Sequence, residues 1–250
     1  MDPSAAIDEP TESPEPEVRR PLFVPRGLVV LASLWVFLSW ILLFGFHPPV
    51  QPQAASYAPS IQMLLMLAGV GIAIGWPMLR LSGRPSAMPT AQAALDGLSI
   101  FVLLQVVIWP LRLVTSWTLA RAIAVDAAIA AAIMLTAAIL SVTQGCVSPR
   151  ARAGGMLIAV ALVLAPGAHM LIADVEPGQR AADTVWGRIL TAPSAPALIS
   201  RCAEPSTIDP SQADRGVLFR AFALGSAAWA LALGAHALRP AARPRVSPED

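Results

Sequence analysis

Charge is scarce in this 250-residue chain: 13% of its residues are charged, against roughly 25% in an ordinary soluble domain. Lysine is missing, so all 17 basic residues are arginine, and with 16 acids the formal net charge is only +1. A nucleic-acid binder presents a clustered basic face. The near balance therefore argues against nucleic acid as a partner. Arginine without lysine, together with abundant Ala and Pro, reads as codon usage in a GC-rich bacterial genome rather than as chemistry.

Several reaction signatures are also missing. There is no P-loop, which removes nucleotide hydrolysis by that route. Neither CxxCH nor HExxH occurs, and no zinc-ligand spacing appears. The Gly-x-Ser-Gly nucleophile of rhomboid-type intramembrane proteases is absent. Gly225-Ser226 shares its apolar run with His236, but ten residues of helix separate Ser226 from it by about 15 Å, too far for a dyad. Cysteine is limited to Cys146 and Cys202.

Long apolar runs are what the chain has instead. Hydrophobic residues make up 56% of it, and runs of about 20 recur, enough to cross ~30 Å of hydrocarbon as helices. The alternating pattern of barrel strands is not seen. The expected fold is all-α, a polytopic membrane helix bundle of six transmembrane helices over 27–46, 61–81, 97–115, 119–142, 153–173 and 216–238. Residues 1–26 carry six acids and three arginines among prolines, the composition of a disordered tail. The acids precede the first apolar run and no small-residue cleavage site follows it, so that run is expected to stay as an anchor.

An even number of spans puts both termini on one side. That side carries Arg19, Arg20, Arg26, Arg80, Arg84, Arg150, Arg152, Arg239, Arg243 and Arg245; the other carries Arg112, Arg121, Arg180, Arg188, Arg201 and Arg215. The positive-inside rule then places both termini in the cytoplasm of a bacterial inner membrane, with 239–250 as a cytoplasmic tail and 174–215 as an external loop. In that loop Val185, Trp186, Ile189 and Leu190 share a helical face. Two readings follow: a helix lying on the membrane surface, or an irregular loop with one short helix. Cys146 and Cys202 fall on opposite sides, which rules out a disulfide between them. Cys202 is expected to be free or bonded to another protein.

Two similar stretches, Trp-Pro-Met-Leu-Arg-Leu at 76–81 and Trp-Pro-Leu-Arg-Leu at 109–113, close the second and third runs at opposite faces. Trp favours the interface and Arg snorkels from it. They are expected to mark helix ends rather than a repeated ligand site.

Ionisable groups at membrane depth are functional candidates by default. Asp126 and Arg220 are expected at similar depth, as an intramembrane ion pair or an anion or proton site. His47 and His169 share a level near the external side, His169 just after Pro166-Gly167, and two such imidazoles could ligate haem or a metal. Gln105 is expected to bond across to a neighbouring helix, with Thr136 as a partner. Gly71 and Gly75 form a GxxxG, and Gly225 and Gly234 lie on a small-residue face, all suited to close helix packing.

These features predict a non-catalytic integral membrane protein, a subunit or accessory partner of a larger membrane assembly, with the lipid bilayer and other membrane subunits as partners. No cofactor is specified. Alternatives are the membrane component of a transporter whose ATPase is a separate chain, and a haem- or quinone-linked redox subunit.

Overall fold

A computed structural model describes residues 22–45, 54–115, 117–172, 184–204 and 209–238. Most of the tail at 1–26, His47 and the segment 239–250 lie outside the described residues.

The described chain is helical, without a strand. It contains six helices long and apolar enough to cross a membrane: Arg26–Gly45, Ser56–Leu81, Pro89–Leu113, Leu119–Thr143, Pro149–Ile172 and Gln212–Ala237. The first is α1 (Arg26–Trp40) continued by a π turn, Ile41–Gly45. The second is α2 (Ala54–Val70), a π turn at Gly71–Gly75 and α3 (Trp76–Leu81), all in one unbroken run. Then come α4 (Pro89–Val114), α5 (Leu119–Thr143) and α6 (Pro149–Ile172), two short helices α7 (Val185–Thr191) and α8 (Ala195–Cys202), and α9 (Gln212–Ala237).

Local chemistry sets the starts. Pro89 and Pro149 open α4 and α6, where a missing N–H costs nothing. The Thr118 and Thr184 hydroxyls accept from Arg121 N and Gly187 N to cap α5 and α7. Ser211 and Asp214 make a reciprocal capping box on α9.

The centre of the bundle is α5, whose buried residues include seven alanines. Three neighbours each set a glycine on it. A Cβ at Gly97 of α4 would come 2.9 Å from Ile133, one at Gly155 of α6 would come 2.6 Å from Thr143, and one at Gly225 of α9 would come 2.6 Å from Met134. Such approaches let backbones close where lipid offers no hydrophobic drive.

Contacts define two ends of the bundle. At the amino-terminal end Ser86 N donates to Gln144 O, Arg152 Nη2 to Gly83 O, and His236 Nε2 to Ser141 O. At the far end Gln62 of α2 donates to Ser200 of α8, and Arg201 pairs with Asp214.

In the segment 174–215 the described residues form two short helices where the sequence reading had one. Its α7 and α8 form a hairpin of half-length helices that enters the bundle. Ala195, Pro196, Leu198, Ile199 and Cys202 are buried, and α8 packs on α2 and α5. A Cβ on Gly69 would lie 2.8 Å from the Pro196 backbone. Gly69 is thirteen residues into the helix that begins at Ser56, so the hairpin reaches about 20 Å down the bundle. Val185, Trp186 and Ile189 do share an outward face and stay exposed. The hydrophobic side of α8, which the sequence reading passed over, is what carries the segment inward.

Candidate functional site

Two constellations stand out at the amino-terminal end: a closed polar network, and beside it an apolar cavity. The network centres on Asp96 of α4, which is completely buried. Arg80 donates to both of its oxygens through Nε and Nη2, the bidentate fork that suits guanidinium and carboxylate. Trp76 Nε1 donates to Oδ2 at 3.3 Å and Gln92 Nε2 to Oδ1 at 2.8 Å. Gln92 also clasps the chain before α1, accepting from Phe23 N at 3.2 Å and donating to Phe23 O at 3.1 Å. The Arg80 guanidinium lies over the Phe23 ring at 4.8 Å, a cation–π contact. The one buried carboxylate among the described residues at this end is thus saturated with donors, and its cation is enclosed with it.

The sequence reading began the third span at 97. Its helix starts eight residues earlier, at Pro89, which brings Asp96 and Gln92 inside. The interfacial role expected of Trp76 is corrected in the same way: Trp76 is 2% exposed and buried against α4. Its sequence neighbour Pro77 comes two residues after the end of the π turn, and Pro so close to it forfeits only an amide already displaced from regular pairing. Trp109, by contrast, remains 42% exposed and donates to Gln105 Oε1 one turn back.

The cavity, about 520 Å³, opens between α1, the α2–α3 run and α4. Its walls include Leu28, Ala32, Trp35, Gly71, Gly75, Trp76 and Leu104, and the only hydroxyl among them is Ser82. Leu31, Trp35 and Met78, which also line it, stay exposed, so it opens sideways through the perimeter. The π turn shapes it. Trp35 Nε1 donates to Leu67 O at 3.1 Å, and a Cβ at Gly71 would sit 3.0 Å from that indole nitrogen. A Cβ at Gly75 would meet nothing within 4 Å. Of the Gly71/Gly75 pair, Gly71 lets the Trp35 indole of α1 close in, and a Cβ on Gly75 would face open space.

The remaining candidates are scattered. Asp126 and Arg220 do not form an ion pair; among the described residues the ion pairs are Arg80–Asp96 and Arg201–Asp214. Arg220 is exposed, beside Ile189, Ala192, Ala223 and Leu224 in a shallow hollow between α7 and α9. Asp126 faces Gln105 instead, and Asp126 Oδ1 and Gln105 Nε2 are both buried without a closer partner. The expected Gln105–Thr136 bond fails on depth. Gln105 lies sixteen residues from the start of α4, and Thr136 seven from the end of α5. That separates them by about 14 Å along the axis. His169 Nε2 lies 3.2 Å from the Thr184 hydroxyl, and His47 is outside the described residues. Among the described residues no three His, Cys, Asp or Glu gather as a metal would need.

At the far end Arg121 is fully buried. It donates to three backbone carbonyls, Cys202 O at 3.0 Å, Glu204 O at 3.1 Å and Asp209 O at 2.9 Å. These anchor the connection from α8 to α9. Cys202 beneath it is free and 2% exposed. Burial, with the nearby Asp214 charge, pushes its thiol up to about 12. That enclosure removes the expectation of a bond to another protein.

Comparison with protein-family models, curated proteins and solved structures finds no match for this chain.

Proposed function

We propose that the chain is a non-catalytic integral protein of a bacterial inner membrane, with both termini cytoplasmic, serving as a subunit or accessory partner of a larger membrane assembly. The observation that carries this reading is how the buried charges are used. Asp96 is saturated by Arg80, Trp76 and Gln92, and Arg121 is held through its two terminal nitrogens by backbone carbonyls. Neither presents a reactive atom to a cavity, and the sizeable cavity is walled by hydrocarbon. A membrane enzyme needs a polar group aimed at the space its substrate occupies. Purification from native membranes in mild detergent tests the reading. A stoichiometric second membrane chain, retained on cross-linking, is the expected result; a lone monomer overturns it. An enzymatic reporter fused after Asp250 is expected to be active in the cytoplasm only.

One observation favours a transporter as the second reading. Discontinuous half-helices that dip into a bundle often line substrate paths, and in the α7–α8 hairpin Arg188 Nε and Ser194 Oγ are buried without partners. Substrate flux lost in Asp126→Asn, with stability retained, would favour this over the accessory role.

A further inference from the structure

We infer that the cavity between α1, the α2–α3 run and α4 is a binding site for one acyl chain of an anionic phospholipid, with the headgroup held at the amino-terminal rim. This rests on the reading of the chain as a membrane protein, and it names a ligand for the site.

Shape comes first. The lining residues run from Leu28 to Val36 on α1 and from Ala68 to Ser82 on the second run, about 12 Å and about 21 Å of helix axis. The cavity is long and parallel to the helices, as a lipid tail is. Its sideways opening past Leu31, Trp35 and Met78 gives a chain a route in from the bilayer. A π turn with two glycines makes the room, and such turns recur at functional sites.

Charge selects the headgroup. Arg26 lies two residues before the lining Leu28, and Arg84 two residues after the lining Ser82; both arginines are exposed. Among the described residues, the amino-terminal end carries Arg26, Arg80, Arg84, Arg150 and Arg152 against Asp96 alone. Asp96 is already consumed by Arg80, so among the described residues of the rim Arg26 and Arg84 have no acid beside them. The far end sets Asp126, Glu204, Asp209 and Asp214 against six arginines. The asymmetry matches an apolar cavity whose charged mouth faces one leaflet.

The full-length protein, reconstituted in nanodiscs of mixed phosphatidylglycerol and phosphatidylcholine and then released for native mass spectrometry, tests this. The wild type is expected to retain phosphatidylglycerol over phosphatidylcholine. Gly75→Leu, whose Cβ would meet nothing within 4 Å, and Ala32→Phe from the opposite wall are each expected to lose the retained lipid while their melting in phosphatidylcholine alone stays intact. Arg26→Gln with Arg84→Gln is expected to keep a lipid but to lose about thirtyfold in headgroup preference. Inorganic phosphate is expected to compete for nothing. Equal retention of the two lipids, or undiminished lipid in both filled variants, overturns the proposal. Co-purification of a second chain is read separately, so a missing lipid and a missing partner are told apart.

Discussion

The Arg80–Asp96 pair gives the sharpest quantitative expectation. Arg80 is 11% exposed and Asp96 not at all, so solvent screens neither. Removing one partner from a buried pair leaves an uncompensated charge and costs about 3–5 kcal/mol. Asp96→Leu also strands the Trp76 and Gln92 donors; Arg80→Leu leaves Asp96 two neutral donors and no cation. Replacing both by leucine removes the charge problem along with the pair, so the double variant is expected to be no worse than the worse single one. The coupling across the cycle then reaches at least about 3 kcal/mol, the upper end of the range for contacting residues. Equilibrium unfolding in mixed micelles under increasing denaturing detergent gives the four free energies. A double variant whose loss equals the sum of the singles to within about 0.5 kcal/mol would refute the idea that Asp96 is held by its cation, and with it the reading of this network as structural.

Other outcomes follow from the same contacts. Gly69→Ala is expected to destabilise by about 1–3 kcal/mol because its Cβ meets the Pro196 backbone. Gly75→Ala is expected to be neutral or stabilising by up to about 1 kcal/mol, and paired thermal melts decide. Arg121→Gln is expected to cost at least about 2 kcal/mol and to raise hydrogen exchange around Glu204 and Asp209. In the folded protein maleimide is expected to label Cys146 before Cys202. Because folding raises the Cys202 pKa from 9.0 to about 12, its contribution is intact below pH 9 and declines as pH rises from 9 towards 12. A Cys202→Ala variant should lack that decline, and one that keeps it would sink the assignment.

The six long helices could be read from hydrophobic runs alone, because lipid imposes length and composition on any span. Boundaries were less legible. The start at Pro89 is written in a proline that begins a helix, yet Gln92 and Asp96 look too polar for a span until Arg80 and Trp76 arrive from another helix to satisfy them. The same blindness hid Arg121, whose partners are carbonyls more than eighty residues away. The signal available for Asp96 was its level: an acid one or two turns inside a helix, opposite Arg80 on the preceding run. A sequence gives Asp126 and Arg220 only a height along their helices and leaves azimuth free, and the pair does not form. The cavity had no local signature, since a π turn depends on packing and its glycines resemble any small-residue motif.

The α7–α8 hairpin imposes an order of assembly. Helices of seven and eight residues are too short for the insertion machinery to retain as spans. The resting place of α8 against α2 and α5, and that of α7 against α6, are built from segments synthesised earlier. The hairpin must therefore slide in after α2 and α5 have met, drawing the start of α9 with it through Arg121 and the Arg201–Asp214 pair. Synthesis can stop at any of the first five spans without creating that berth's occupant, so maturation of the chain is gated by its last third.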